Sequence, residues 1–269
     1  MKINKVGIVG AGYVGSAMHR FFNGKLKHGD LKIYDVNKKL DERDTINKCD
    51  LGIVCVPTEM NEDGTVNTSI VEEVIEWLKT PIILIKSTIP PKTTEMLKRV
   101  YGKRIVFSPE YVGESKYYIP EKYMDTTDMT KHDFFIFGGD KEDIKPILDL
   151  FVKICGPTKR YIQTDATTAE LTKYMENTFF ATKITFCQEW YEIAKTFGVD
   201  YHELRECWLA DPRINPMHTL VFKDDRGFGG KCLPKDTNGI VATSKEAGYK
   251  ADLLAQVIKS NEGFRQVTN

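Results

Sequence analysis

The chain has 269 residues, 41% apolar and 28% charged, with 38 Lys plus Arg balanced by 38 Asp plus Glu. That length supports one large domain or two modest ones. Zero net charge gives no electrostatic basis for nucleic acid or an anionic membrane as the main partner. No run approaches the roughly 18 uninterrupted apolar residues of a membrane span, and MKINKVGIVG lacks the apolar core of a signal peptide. The six cysteines form no C-x-x-C pair and the five histidines lack ligand spacing, so no metal is expected. Reduced thiols in a cytoplasmic protein are the simplest reading.

In chain order, Val6–Val9, Leu31–Tyr34, Leu51–Val56, Ile82–Ile85, Ile105–Phe107 and Phe134–Phe137 read as strands. Several are nearly continuous in apolar residues, as strands buried on both faces are. Helical candidates, Ser16–Phe22, Thr68–Lys79 and Lys92–Val100, alternate with them, which predicts a parallel sheet covered by helices. The pattern changes after Cys155-Gly-Pro157. From Thr167 to Phe197 there is no Gly or Pro, enough for one helix of about 45 Å. Thr167 and Glu170 have capping-box spacing at its start, and Gly198 is a natural stop. Tyr201–Leu209, Lys235–Glu246 and Ala251–Arg265 add further helices. The fold class is therefore α/β, an N-terminal Rossmann-like parallel sheet followed by an all-helical unit with one long helix. The boundary falls near 165, giving 1–165 and 166–269.

Gly10-Ala-Gly12-Tyr-Val-Gly15 follows the first strand and opens a helix, and Asp35 closes the second strand 20 residues beyond Gly15. In that context G-x-G-x-x-G predicts a dinucleotide site. Gly10 allows the tight turn, Gly12 lets a pyrophosphate approach, and Gly15 lets helix and strand pack closely. Tyr13 and Val14, at the helix N-terminus, join the cofactor set. Asp35 can accept hydrogen bonds from ribose hydroxyls and would repel a 2′-phosphate, which favours NAD.

In Gly-Phe-Gly229-Gly-Lys-Cys232-Leu-Pro-Lys-Asp236, glycines at 227, 229 and 230 permit close approach of a bound group. Lys231 and Lys235 favour thiolate at Cys232, the form that attacks a carbonyl carbon. Lys173 and Asn177, at i and i+4, share one face of the long helix and could hold an oxyanion together. Glu110 and Glu114 follow the strand 105–107, and Lys86-Ser-Thr88 leaves its neighbour, at the edge where such sheets place ligands.

Six ordered blocks, GIVGAGYVG, VCVPTEMNEDG, KSTIP, SPEYVGES, AELTKYMENTFFATKITFCQE and GFGGKCLPKD, resemble the UDP-glucose/GDP-mannose dehydrogenase family over about residues 5 to 265. The resemblance implies two successive NAD-dependent oxidations of a sugar C6 alcohol through a cysteine thiohemiacetal and thioester. Carried over position by position, Cys232 is the nucleophile, and Lys173 and Asn177 stabilise oxyanions. Asp236 orients Lys173 or water. Thr88 and Glu114 handle water and protons, with Thr88 also near the cofactor. Glu110, Lys173, Asn177 and Gly229 line the substrate. Arg213 resembles an arginine that the family sends to the partner subunit's substrate, which implies a homodimer through the long helix. UDP-glucose is the substrate the blocks favour, with GDP-mannose or UDP-N-acetylmannosamine as alternatives. A catalytically silent NAD-binding dimer, regulating a full-length enzyme, and a hydroxy-acid dehydrogenase on the same architecture are the competing readings. The family's C-terminal sugar-nucleotide-binding domain is expected to be missing, which would weaken substrate binding. Gly113 stands where the family often has arginine, and the stretch from Arg213 to Cys232 is longer by about three residues.

Overall fold

The computed structural model describes residues 1–112 and 128–266. It divides into two compact units, Met1–Glu59 with Asn67–Lys173, and Met60–Val66 with Tyr174–Asn269.

The first unit runs β1 (Val6–Val9), α1 (Tyr13–Phe22), β2 (Leu31–Tyr34), α2 (Arg43–Ile46), β3 (Leu51–Val54), α3 (Ser69–Trp77), β4 (Ile82–Ile85), α4 (Thr93–Tyr101), β5 (Ile105–Phe107), β6 (Phe134–Gly138), α5 (Lys141–Cys155) and β7 (Arg160–Thr164). It closes with the first turns of α6 (Ala166–Thr196). Among the described residues the sheet order is β2-β1-β3-β4-β5-β6-β7. Neighbours are parallel except β5 and β6, which meet antiparallel at Phe107 and Gly138.

The side-chain period of two divides each central strand between two cores. Ile8, Ile53 and Leu84, in register across β1, β3 and β4, pack with Met18, Phe21 and Phe22 of α1 and Ile147 and Phe151 of α5. Val9, Val54 and Ile85, one residue on, pack with Val71 and Ile75 of α3 and Leu97 of α4. Because β2 lies on one side of β1 and β3 on the other, the connections diverge there. That divergence leaves a crevice beyond the carboxyl ends of β1 and β3, where open α/β sheets receive ligands.

Several boundaries differ from the sequence reading. Helix α1 begins at Tyr13 rather than Ser16, with Gly12 as its N-cap. Elements α2, α5 and β7 add to the expected set. The capping box at Thr167 and Glu170 does not form. Asp165 caps α6 instead, its carboxylate accepting the Thr168 N–H at 2.8 Å and the Thr168 hydroxyl at 2.6 Å. Glu170 turns away, fully buried, and accepts the backbone N–H groups of Lys92 at 2.6 Å and Thr94 at 2.8 Å, plus the Thr94 hydroxyl at 2.6 Å. It thereby caps α4 from another helix, which satisfies N–H groups that have no intrahelical acceptor.

The second unit contains the rest of α6, α7 (Tyr201–Leu209), α8 (Cys232–Glu246) and α9 (Asp252–Gln266). A bridge between Met60 and Val66 belongs to it. Val66 reaches α8 at Gly239, where a Cβ would lie 2.6 Å from its Cγ2. Helix α8 starts at Cys232, three residues before the expected Lys235. Pro234 falls in its first turn, where a missing N–H removes no helical hydrogen bond.

Candidate active site

The loop between β1 and α1 is built by exclusion of side chains. Gly10 has φ +94°, and a Cβ on it would lie 2.5 Å from the Cys55 carbonyl oxygen. A Cβ on Gly15 would overlap the Gly10 carbonyl oxygen, so α1 packs onto the strand end only because residue 15 has none. At Gly12 a Cβ would meet nothing within 4 Å. The N-terminus of α1 has no side-chain cap. The positive dipole end of the helix thus meets a loop free of side chains at Gly12, and the residues fit a phosphate there. Tyr13 is exposed and Val14 half-buried on this first turn. Asp35 accepts the Ala11 N–H at 2.7 Å through Oδ2 and the Asn37 N–H at 2.9 Å through Oδ1. Two oxygens offer about four lone-pair sites, so the carboxylate that ties down the loop still has capacity for hydroxyl donors. Lys38 Nζ donates to the Ala11 carbonyl.

Beyond β4 and β5 the first unit gathers a buried polar cluster. Glu110 is 8% exposed; its Oε2 accepts the Val112 N–H at 2.8 Å. Its Oε1 lies 3.7 Å from Nζ of buried Lys173. The Lys173 ammonium also sits 5.2 Å from the centre of the Tyr111 ring. Lys86, placed by the sequence at this edge but given no role, is 2% exposed and donates to the Pro109 carbonyl at 2.8 Å and to Ser108 Oγ at 3.2 Å. Burial pushes its ammonium down to about 8, opposed by the attraction of Glu110. The only warning was a lysine directly after four apolar residues. Cys55, opposite Gly10, is pushed up to about 12 by burial and is a packing thiol. Thr88 is half-buried, and its carbonyl accepts the Thr58 hydroxyl at 2.8 Å. Glu114 lies outside the described residues.

In the second unit Cys232 is exposed and is the first residue of α8. Lys231 is the N-cap and supplies no side-chain hydrogen bond to the helix end. The sulfur thus stands at a helix N-terminus, where negative charge is favoured. Lys235 is less available to the thiol than its sequence position suggested, because its Nζ pairs with Asp236 Oδ1. Asp236 is 1% exposed, and its other oxygen accepts the Asn177 Nδ2–H at 2.5 Å. Asn177, itself buried, is therefore oriented by this carboxylate. Lys173 precedes it by one turn of α6. Arg213 is exposed, and its guanidinium binds the Asp211 carboxylate, Nη2 to Oδ2 at 2.6 Å.

The glycine turn before Cys232 holds side chains rather than open room at two positions. Gly227 has φ +72°, and a Cβ there would overlap Asn261 Oδ1 of α9. At Gly229 a Cβ would lie 2.7 Å from Arg265 Nη1. Only at Gly230 would it meet nothing within 4 Å. Asn261 and Arg265, some 30 residues downstream, carry no local signal that would have revealed this.

Sequence models of the UDP-glucose/GDP-mannose dehydrogenase family match residues 31–149 with its NAD-binding domain and residues 167–263 with its central domain. The chain belongs to the UDP-glucose/GDP-mannose dehydrogenase family. The first match begins at β2, so the glycine loop lies outside it and rests on its own geometry. The UDP-glucose 6-dehydrogenase AglM of Haloferax volcanii is 28% identical over 243 residues, covering 82% of this chain and 54% of that protein. A UDP-N-acetyl-D-mannosamine dehydrogenase of Methanococcus maripaludis is 29% identical, covering 92% and 63%. Among solved structures, a UDP-glucose dehydrogenase of Pyrobaculum islandicum superimposes with TM-score 0.83 at 24% identity, covering 97% of this chain and 68% of that one. The chain thus spans between half and two thirds of the length of these curated family members. Among the described residues no helix is long and apolar enough to cross a membrane.

Proposed function

We propose that this chain takes part in the NAD-dependent oxidation of a nucleotide sugar, UDP-glucose to UDP-glucuronate, through a covalent intermediate on Cys232. The observation that carries the reading is the nucleophile's setting: an exposed cysteine opening a helix, beside a buried Asp236–Asn177 pair in the same unit. Cys55 and Cys187, by contrast, are buried within core clusters.

NAD, when bound, supplies the hydride acceptor for both oxidations. Gly10, Gly12, Tyr13, Val14, Gly15 and Asp35 are proposed to hold it, the loop N–H groups at its phosphates and Asp35 at a ribose. The chain's own groups manage charge and protons. The Cys232 sulfur adds to the C6 aldehyde, forming a C–S bond, and the carbonyl oxygen becomes an alkoxide. Lys173 and Asn177 donate to that oxygen, which lowers the energy of the charged species more than that of the neutral aldehyde. Asp236 accepts one Asn177 Nδ2–H and so orients the amide, leaving its second N–H for that oxygen. After the second oxidation the thioester is attacked by water, the C–S bond breaks, and sulfur leaves as the thiolate favoured at a helix N-terminus. Thr88 and Glu114 are assigned to the water, and Glu110 holds the Lys173 ammonium in place. Gly229 is assigned to the substrate through its backbone, since the Arg265 guanidinium fills the space a side chain there would take. Sheet edge and helical unit correspond in this reading to an NAD-binding domain, 1–165, and a catalytic and dimerising domain, 166–269.

A second copy of this chain is the proposed partner. Met175, Phe179, Phe186, Trp190 and Phe197 of α6 and its C-terminal turn are exposed by 77%, 61%, 47%, 40% and 79% at helical spacing. Such a stripe on a soluble helix is a self-complementary surface for a two-fold dimer, from which Arg213 would reach the partner's substrate. A cytoplasmic location follows from the substrate class.

The test is NADH release with a panel of UDP- and GDP-sugars, with product masses determined. A gain of one oxygen and loss of two hydrogens in a UDP-hexose supports the reading. NAD binding without turnover of any sugar nucleotide supports the silent regulatory dimer instead.

A further inference from the structure

We propose that Asn261 of α9 is the positioning residue of the Cys232 turn: its carboxamide grips the Phe228 peptide and so fixes the direction in which the turn delivers the thiol to α8. The inference rests on the assignment of Cys232 as nucleophile.

Asn261 is 6% exposed, yet both ends of its amide are used on one residue. Oδ1 accepts the Phe228 N–H at 2.6 Å, and Nδ2 donates to the Phe228 carbonyl at 2.9 Å. A carboxamide offers an N–H donor and a carbonyl acceptor side by side in one plane, which matches the N–H and carbonyl of a single residue. The sequence is fitted to this grip. Gly227 adopts the left-handed conformation and lacks the Cβ that would strike Oδ1. Phe228 is 3% exposed and packs with Ala181, Val257 and Leu233. One turn further along α9, Arg265 lies across Gly229 and donates to the Arg226 carbonyl at 3.3 Å. Arg226 is buried against α6, its Nε donating to Gln188 Oε1 at 2.5 Å and its Nη1 pairing with Glu192 at 2.8 Å. Residues 226 and 228 are thus held by hydrogen bonds, and Gly227 and Gly229 lie closely against Asn261 and Arg265, while at Gly230, two residues before Cys232, a Cβ would meet nothing within 4 Å. A thiol that must meet an aldehyde carbon at bonding distance needs this constraint, because a misplacement of about 1 Å costs on the order of 10²-fold in rate.

The test compares wild type with Asn261→Asp, which keeps the acceptor for Phe228 N–H but sets an oxygen against the Phe228 carbonyl. Cys207 on α7 is exposed and serves as an internal standard. The first readout is competitive alkylation by iodoacetamide, as the Cys232-to-Cys207 ratio from peptide masses, with melting temperature and NAD affinity as controls. The second is NADH formation from UDP-glucose. The proposal predicts a ratio changed by about threefold or more, and a kcat lowered at least about tenfold with the KM for NAD little changed. An unchanged ratio overturns it, whatever happens to turnover. If wild type oxidises no nucleotide sugar, the proposed reaction fails, while the ratio still reports on the grip. Should Asn261→Asp not fold, hydrogen exchange of wild type decides. A Phe228 amide protected relative to Gly230 supports the grip, and equal exchange at the two overturns it.

Discussion

Glu170 makes a prediction that can be worked through from the structure. Its carboxyl is fully buried and caps α4 through Lys92 and Thr94. Burial pushes it up to about 7 from an ordinary value of 4.5, against the hydrogen bonds of Thr94 and Lys92, which pull it down. A folded-state value above the unfolded one means that the native protein binds the proton more tightly. The associated stability is fully present below the unfolded value and is lost as pH rises through about 7. At about 1.4 kcal/mol per unit, the wild type should lose on the order of 3 kcal/mol from this group between about pH 4.5 and pH 8. Glu170→Gln cannot titrate, but turns an amide N–H toward the Lys92 N–H, which costs about 1–3 kcal/mol at every pH. Urea denaturation midpoints of both proteins across that range isolate the effect, because every other titration cancels in the difference. Wild type should lead the variant at low pH, and the gap should close or reverse above pH 7. Parallel pH dependences would refute the reasoning.

Other perturbations follow from single contacts. Gly15→Ala forces a methyl group into the Gly10 carbonyl; it should destabilise by about 1–3 kcal/mol and abolish NAD binding in a fluorescence titration. Lys103 donates to the carbonyls of Glu76 at 2.7 Å and Leu78 at 2.9 Å, closing the C-terminus of α3. Lys103→Met should therefore cost about 1–2 kcal/mol in urea denaturation, with NAD affinity unchanged. Phe179→Lys places a charge in the exposed stripe of α6 and should convert a dimer to a monomer in analytical ultracentrifugation.

What was legible in the sequence were features whose cause is local. Strands β1, β3 and β4 announce themselves because burial on both faces leaves them almost wholly apolar. The glycine loop was legible for the same reason: Gly10 and Gly15 each answer a clash within residues 10 to 55, and Gly12 leaves the loop open. Strand β7, Arg160–Thr164, was missed because it lies largely exposed and has no apolar run. The start of α8 was misread because Pro234 looked like turn chemistry, although a first helical turn accepts proline. Glu170 had the spacing of a local cap but found donors on α4, a tertiary partner that no window around residue 170 contains. Asn261 was invisible for the same reason, as a neutral residue on an ordinary helix, and the position of Lys86 at the sheet edge was legible while its burial against Ser108 and Pro109 was not.

The most direct test of the account is to mix the protein with NAD and UDP-glucose, quench in acid, and map the mass of every cysteine peptide. The account predicts a sugar-nucleotide adduct on the peptide containing Cys232, absent without NAD and absent in Cys232→Ser, which should still bind NAD. Oxidised sugar nucleotide formed at an undiminished rate by Cys232→Ser, with no adduct in wild type, would contradict it.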